Sequence, residues 1–219
     1  MKKRIVVAVV LAILLAASTY AQTTDLFELV KTGTPQSVQA AISNGADVNA
    51  RSLDGFTPLM AAAGYNQNPK VITTLLKAGA DINARNIYPG LTPLMIAAGH
   101  NQNPEVITAF LKAGADLNVR DSDHRRTALM WAAMYNRPEV ITALLKAGAG
   151  IADRDELGET TLMHAAETNQ NPEVITVLLK AGADAKVKDK LGTTAFAYAQ
   201  ANAKLKGTDA YRQLQKASK

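Results

Sequence analysis

Gly55-Phe56-Thr57-Pro58-Leu59-Met60-Ala61-Ala62-Ala63, followed by Asn68-Pro69-Lys70-Val71-Ile72-Thr73 and Leu75-Leu76-Lys77-Ala78-Gly79-Ala80-Asp81, is the stretch on which the rest of the chain is built. It returns as Thr92-Pro93-Leu94-Met95, Asn103-Pro104-Glu105-Val106-Ile107-Thr108 and Leu111-Lys112-Ala113-Gly114-Ala115-Asp116. It comes again from Thr127 and Thr160, and in degraded form from Thr194, so the steps between Thr57, Thr92, Thr127, Thr160 and Thr194 are 35, 35, 33 and 34 residues. Self-similarity at that period predicts a stacked array of one supersecondary unit, and directs the search for function to a surface.

Each position of the phrase has a physical job. Thr57 caps a helix with its hydroxyl, and Pro58 takes the first helical position, where a missing N–H costs nothing. Leu59, Ala62 and Ala63 form the buried stripe of that short helix, whose small alanines let a neighbour come close. Asn68 and Pro69 start a second helix, which presents Val71, Ile72, Leu75 and Leu76 on one face. Lys77 suits its C-terminal dipole, and Gly79 suits the left-handed residue that ends it. The segment from Asp81 to Gly90, rich in Asn, Asp, Gly and Pro, reads as a hairpin-like loop.

Gly55 to Ala63 together with Leu75-Leu76-Lys77-Ala78-Gly79-Ala80-Asp81-Ile82-Asn83-Ala84 resembles the ankyrin repeat. The resemblance covers nearly everything after residue 22. It implies an all-α solenoid of about six helix-turn-helix units with hairpin-like loops. The chain departs from the family pattern at Met60, Met95, Met130 and Met163, which stand where the family usually has His; thioether packing is expected there. Arg125 stands in place of the usual loop glycine and Gly150 in place of the usual aspartate. The loop asparagine is kept at Asn49, Asn83 and Asn118 and lost at Ala152 and Lys186.

Met1 to Ala21 carries Lys2, Lys3 and Arg4, an apolar run from Ile5 to Ala17, and a small-residue finish. That pattern describes a cleavable secretory signal, too short for a comfortable membrane span. The expected organisation is therefore a signal over 1–21 and an array over 22–219, with an N-terminal cap repeat at 22–52, four full repeats at 53–189 and a C-terminal cap at 190–219. No membrane span is expected after cleavage. The formal charge of +5 falls to +2 beyond residue 21, with 13 basic and 17 acidic residues over 22–184 and eight basic and two acidic over 185–219. A weakly acidic array with a basic end does not suit a nucleic-acid groove, which needs Lys and Arg over its working face. With no cysteine, disulfides, thiol nucleophiles and thiolate metal sites are excluded.

Catalytic motifs are absent: there is no Gly-x-Ser-x-Gly, no His-Glu-x-x-His and no phosphate loop. His100, His124 and His164 fall at non-equivalent repeat positions, so stacking is not expected to gather them into a metal site. The acidic clusters Asp121-Ser122-Asp123-His124 and Asp153-Arg154-Asp155-Glu156 lack the spacing of a calcium loop and read as solvated turn tips. Asn-Gln-Asn-Pro, at Asn66, Asn101 and Asn169, reads as a cap and helix start, with a row of amides along one edge as the alternative. No cofactor and no metal is expected.

The resemblance implies that partners dock on the loop tips and on the exposed side of the first helices. In this chain that picks Phe56, Tyr65, Tyr88, Leu91, His124, Arg125, Arg126, Trp131, Tyr135 and Glu159 as partner-binding residues. Phe56, Leu91 and Trp131 are read either as part of that face or as packing against the neighbouring repeat. Aromatic and Arg side chains clustered mid-array have the composition of binding hot spots. The expectation is a monomeric, non-catalytic, periplasmic module that binds a protein, as an inhibitor or immunity-type partner within that reading. The alternatives are an envelope hydrolase or metal-dependent enzyme using acidic loop residues, and a structural spacer.

Overall fold

The computed structural model describes residues 25–219, and the signal segment expected over 1–21 lies outside them. In chain order the helices are α1 (Leu26–Thr32), α2 (Pro35–Ser43), α3 (Pro58–Tyr65), α4 (Pro69–Lys77), α5 (Pro93–His100) and α6 (Pro104–Lys112). They continue as α7 (Ala128–Tyr135), α8 (Pro138–Lys146), α9 (Thr161–Thr168), α10 (Pro172–Lys180), α11 (Ala195–Ala201) and α12 (Asp209–Ala217). Among the described residues these make six helix pairs, the first helices packing in one row and the second helices in another. Among the described residues, β pairing is confined to two isolated bridges at the bases of hairpin loops, Arg154 with Thr160 and Lys188 with Thr194.

The helix starts follow the expected chemistry. Thr57, Thr92, Thr127 and Thr160 accept the backbone N–H of the methionine three residues on, at 3.3 to 3.4 Å. Asn68, Asn103 and Asn171 cap the second helices by accepting from Lys70, Glu105 and Glu173. At α8 the shortened turn leaves Arg137, which gives no side-chain cap. The second helices from α2 to α10 end in a left-handed glycine, as at Gly79 (φ 91°), where Ala80 N–H reaches Leu75 O and closes the last turn, while α12 ends at Ser218 without one.

The first helices are buried more completely than a single stripe. Pro58 to Gly64 of α3 and Pro93 to Gly99 of α5 are all buried, because a neighbour lies on either side, a second helix behind and a hairpin loop in front. The four methionines at the usual histidine position pack at 0–1% exposure. A fully buried Leu, Ile or Met contributes about 1.5–3 kcal/mol before chain entropy is subtracted. At α9, Thr161 takes the place held by Pro58 and Pro93, and its hydroxyl is buried with no partner.

Two polar ladders run through the stack. In the turn between paired helices, one asparagine amide donates to two carbonyls of the repeat before: Asn66 to Val30 and Gly33, Asn101 to Ala63 and Asn66, Asn136 to Ala98 and Asn101. Asn169 bonds Ala133 and Asn136, and Asn202 bonds Ala166 and Asn169, all at 2.8 to 3.1 Å. The first Asn of each Asn-Gln-Asn-Pro is thus a buried rung and the second is the helix cap. The alternative of a free amide row is corrected accordingly, since Asn66, Asn101, Asn136 and Asn169 are at most 5% exposed.

At the loop bases a guanidinium ladder does the same. Arg51 donates to Arg85 O, Arg85 to Arg120 O, Arg120 to Arg154 O, and Arg154 to Lys188 O. Nearer the loop tips, backbone N–H groups of Ile87, Ser122, Glu156 and Lys190 bond Asp54, Pro89, His124 and Leu157 of the loop before.

Replacing Asn101 by Ala orphans two buried carbonyls, and each costs about 1–3 kcal/mol. Urea unfolding of Asn101→Ala is expected to show a loss of at least about 2 kcal/mol, while Gln102→Ala beside it, exposed in the turn, stays within about 0.5 kcal/mol of the parent.

Candidate functional site

Every hairpin loop is held by one side chain at its base. Ser52 Oγ accepts from Phe56 N–H, and Asn86 Oδ1 from Leu91 N–H. Asp121 Oδ1 accepts from His124 and Arg126, Asp155 Oδ1 from Leu157 and Glu159, and Asp189 Oδ1 from Leu191 and Thr193. In the last three repeats the other carboxylate oxygen faces a polar ring on the first helix. Trp131 Nε1–H donates to Asp121 at 3.0 Å, His164 Nε2 lies 3.1 Å from Asp155, and Tyr198 O–H lies 2.8 Å from Asp189. Asp121 and Asp155 are therefore buried clamps, 2% and 8% exposed, where the sequence reads solvated turn tips.

The expected partner face divides into parts. Tyr65 and Tyr135 stand exposed at the C-terminal ends of α3 and α7, two repeats apart; the Tyr65 ring lies 5.7 Å from Lys31 Nζ. Tyr88, His124, Arg125 and Arg126 belong to the loops at the other end of the first helices. Tyr88 is exposed and its hydroxyl donates to Asp123 of the next loop at 2.5 Å, a bond that raises the phenol's pKa. Phe56 is half-buried against the core. Leu91 and Glu159 are corrections: both are buried, because they lie at the loop base where the chain turns into the first helix, and they offer no docking surface. The exposed side expected on the first helices is also largely absent, since Ala61, Ile96 and His164 are buried.

Trp131 resolves as a bridge between the two ends. It is half-buried, with the Arg126 guanidinium 5.4 Å from its ring on one side and the Tyr135 ring 6.0 Å away on the other. Arg126, Trp131 and Tyr135 thus form one strip along the fourth repeat, and Tyr135 borders a recess of 400 Å³ with Gln102, Arg137, Thr168 and Gln170. Arg125, at the tip beside this strip, is the one non-glycine residue with positive φ among the described residues, 61°, where other loops have Gly55, Gly90, Gly158 and Gly192.

Sequence reasoning missed a polar cluster at the fifth repeat. His164 Nδ1 lies 3.8 Å from Glu159 Oε2, while its Nε2 faces Asp155. Glu159 Oε1 lies 2.5 Å from the Tyr198 hydroxyl, which also faces Asp189. Burial pushes the Asp155 pKa upward but is outweighed by bonds from His164 and from the N–H groups of Glu159 and Leu157, leaving it below the usual range. Asp189 behaves alike, burial being outweighed by Thr193, Tyr198 and Leu191. Burial and the two facing carboxylates drive Tyr198 far upward. The signal for the cluster is the nine-residue spacing shared by Asp155 with His164 and Asp189 with Tyr198, visible only once the repeats are superposed.

A family model described as ankyrin repeats (3 copies) matches residues 10–86, 26–121, 86–155 and 129–209. Among curated proteins, a mitochondrial disaggregase of Bos taurus is 48% identical over 58 residues, 26% of this chain and 8% of the relative. That of Homo sapiens is 47% identical over 58 residues, with the same shares. An ankyrin repeat protein of Fowlpox virus (strain NVSL) is 45% identical over 49 residues, 22% of this chain and 10% of the relative. The matches thus span a tenth or less of these relatives. No helix among the described residues is long and apolar enough to cross a membrane.

A left-handed residue with a Cβ costs about 1–2 kcal/mol relative to glycine. Arg125→Gly is therefore expected to raise stability by about 1 kcal/mol in urea titration. A folded-state pKa held down at Asp189 stabilises the fold above the unfolded pKa of about 3.8, and that contribution is lost as pH falls through the lower folded value. Unfolding midpoints followed from pH 7 to pH 2 should accordingly fall less steeply in Asp189→Asn than in the parent.

Proposed function

The chain belongs to the ankyrin-repeat family, and from that premise we propose that it is a non-catalytic protein-binding module exported to a bacterial cell envelope. Ankyrin repeats generally act as protein–protein interaction modules. The observation that carries the reading is the strip Arg126, Trp131 and Tyr135 with Tyr88 on the adjoining loop, a set of aromatic and Arg side chains on a rigid frame. Such side chains supply most of the energy in protein interfaces, and a preformed surface spends little entropy on docking. Within that set Tyr88 and Tyr135, at 67% and 56% exposure, have the most area left to bury. Phe56, His124 and Arg125 extend the surface along the loops, Tyr65 extends it two repeats away from Tyr135, and Leu91 and Glu159 support the loops from below. Export rests on the signal pattern of Met1 to Ala21. Within this reading the module acts as a monomeric inhibitor or immunity-type partner of an envelope protein. The disaggregase activity in the names of two relatives is not carried over, since the matched segment is 8% of each.

Recovery of the tagged chain from the periplasmic fraction of its source, beginning at Gln22 by mass, together with one protein in near-stoichiometric amount, is the expected result. A Tyr88→Ala, Tyr135→Ala double variant with unchanged circular dichroism should lose that protein. Equal capture by both chains would move the interface elsewhere, and capture of nothing by the parent would remove the binding proposal. Recovery from the cytoplasm with Met1 to Ala21 intact would remove export.

A further inference from the structure

We propose that Asp155, Glu159 and His164 form a site for a divalent first-row transition cation, buried where the fifth repeat meets the sixth. One ligand atom from each side chain lies within 4.8 Å of the others, and all three residues are buried. Around a tetrahedral zinc with bonds of about 2.0–2.1 Å, neighbouring ligand atoms stand about 3.3–3.4 Å apart. His164 Nε2 and Asp155 Oδ2 are 3.1 Å apart, close to that separation, while Glu159 Oε2 stands 3.8 Å from the other ring nitrogen, so sharing one ion requires the Glu159 carboxylate or the imidazole to turn. An imidazole with two carboxylates suits zinc, manganese or iron, and leaves one position for water.

The neighbouring repeats show what is unusual. The Asp-to-ring clamp also occurs as Asp121 with Trp131 and as Asp189 with Tyr198, so a hydrogen bond alone accounts for Asp155 facing His164. It does not account for Glu159. The same loop position holds Phe56, Leu91, Arg126 and Thr193 in the other repeats. Only the fifth repeat packs a second buried carboxylate against the clamp, and among the described residues no Lys or Arg nitrogen lies within 4.0 Å of Asp155, Glu159 or Asp189. Among the described residues His164 is the one basic side chain against Asp155 and Glu159, and buried like charges compensated by so little are costly.

The Tyr198 hydroxyl points to the same shortage. It has one proton to donate, yet its oxygen stands 2.5 Å from Glu159 Oε1 and 2.8 Å from Asp189 Oδ2. One of these contacts lacks a hydrogen while both carboxylates are ionised. A cation on Glu159 withdraws charge from that carboxylate and relieves the contact. Its position ties the loop before α9 to α9 itself, and through Tyr198 to α11.

Chelator-treated full chain, titrated with Zn²⁺, Mn²⁺ or Co²⁺ by calorimetry, is expected to take up one equivalent of at least one of them. The melting temperature should rise with free ion concentration. Glu159→Gln and His164→Ala should weaken uptake by about tenfold or more. Asp121→Asn, at the equivalent clamp of the fourth repeat, should leave it unchanged. Glu159→Gln keeps side-chain shape, so loss of uptake with unchanged circular dichroism separates ligation from misfolding. A chelated protein whose melting temperature ignores all three ions would assign the cluster to a shared proton and overturn the proposal. Uptake that survives in both Glu159→Gln and His164→Ala would overturn it equally, by placing the ion elsewhere.

Discussion

Each repeat gives two carbonyls to a single asparagine of the next, and the stack depends on that exchange. The turn after a first helix is the place where α3, α5, α7 and α9 all leave carbonyls without an intrahelical partner, and it is buried by the repeat that follows. Water cannot reach these groups, so a side-chain donor must. Asparagine fits because its two N–H bonds diverge to two acceptors while its own oxygen accepts from the chain two residues on, as Asn101 does from Asn103. The hydrophobic packing of the methionines and alanines supplies most of the favourable energy. The amide fixes the register at which that packing occurs, because a slipped repeat would leave the carbonyls unpaired.

The frame was legible in the sequence because its information is local and repeated. Thr57 before Pro58, Asn68 before Pro69 and Gly79 after Ala78 each act within one or two turns of helix, and copies at Thr92, Thr127 and Thr160 average out exceptions. The ladders were less legible for the same reason inverted. Asn66 and Arg51 act on residues about one period away, and nothing near them in sequence distinguishes a rung from a solvated polar side chain. The arginines at 51, 85, 120 and 154 do recur at one repeat position, which is the signal that identifies them.

The binding face was only partly legible. Family geometry places the loops and first helices on one side, but exposure depends on how closely the repeats approach. Alanines at 62, 97, 132 and 165 let the first helices come near enough to bury almost their whole circumference, which leaves Tyr65, His100 and Tyr135 at the helix ends exposed. Leu91 and Glu159 follow the same logic, pressed inward by the turn they occupy. The loop of the fourth repeat departs most from the others, with Arg125 in a glycine conformation and Arg126 lying on Trp131. Local strain of this kind collects where a surface is shaped for something other than stability.

Trp131 is the sole tryptophan of the chain, and it sits in the middle of the array, tied to Asp121 and flanked by Arg126 and Tyr135. The molecule therefore contains its own optical reporter. Its ultraviolet emission is sensitive to the nearby guanidinium and carboxylate charges and to water at the half-open edge of the ring. Fraying of the terminal repeats leaves that emission unmoved, while opening of the fourth repeat, or an object laid across its strip, changes colour and intensity without any attached dye.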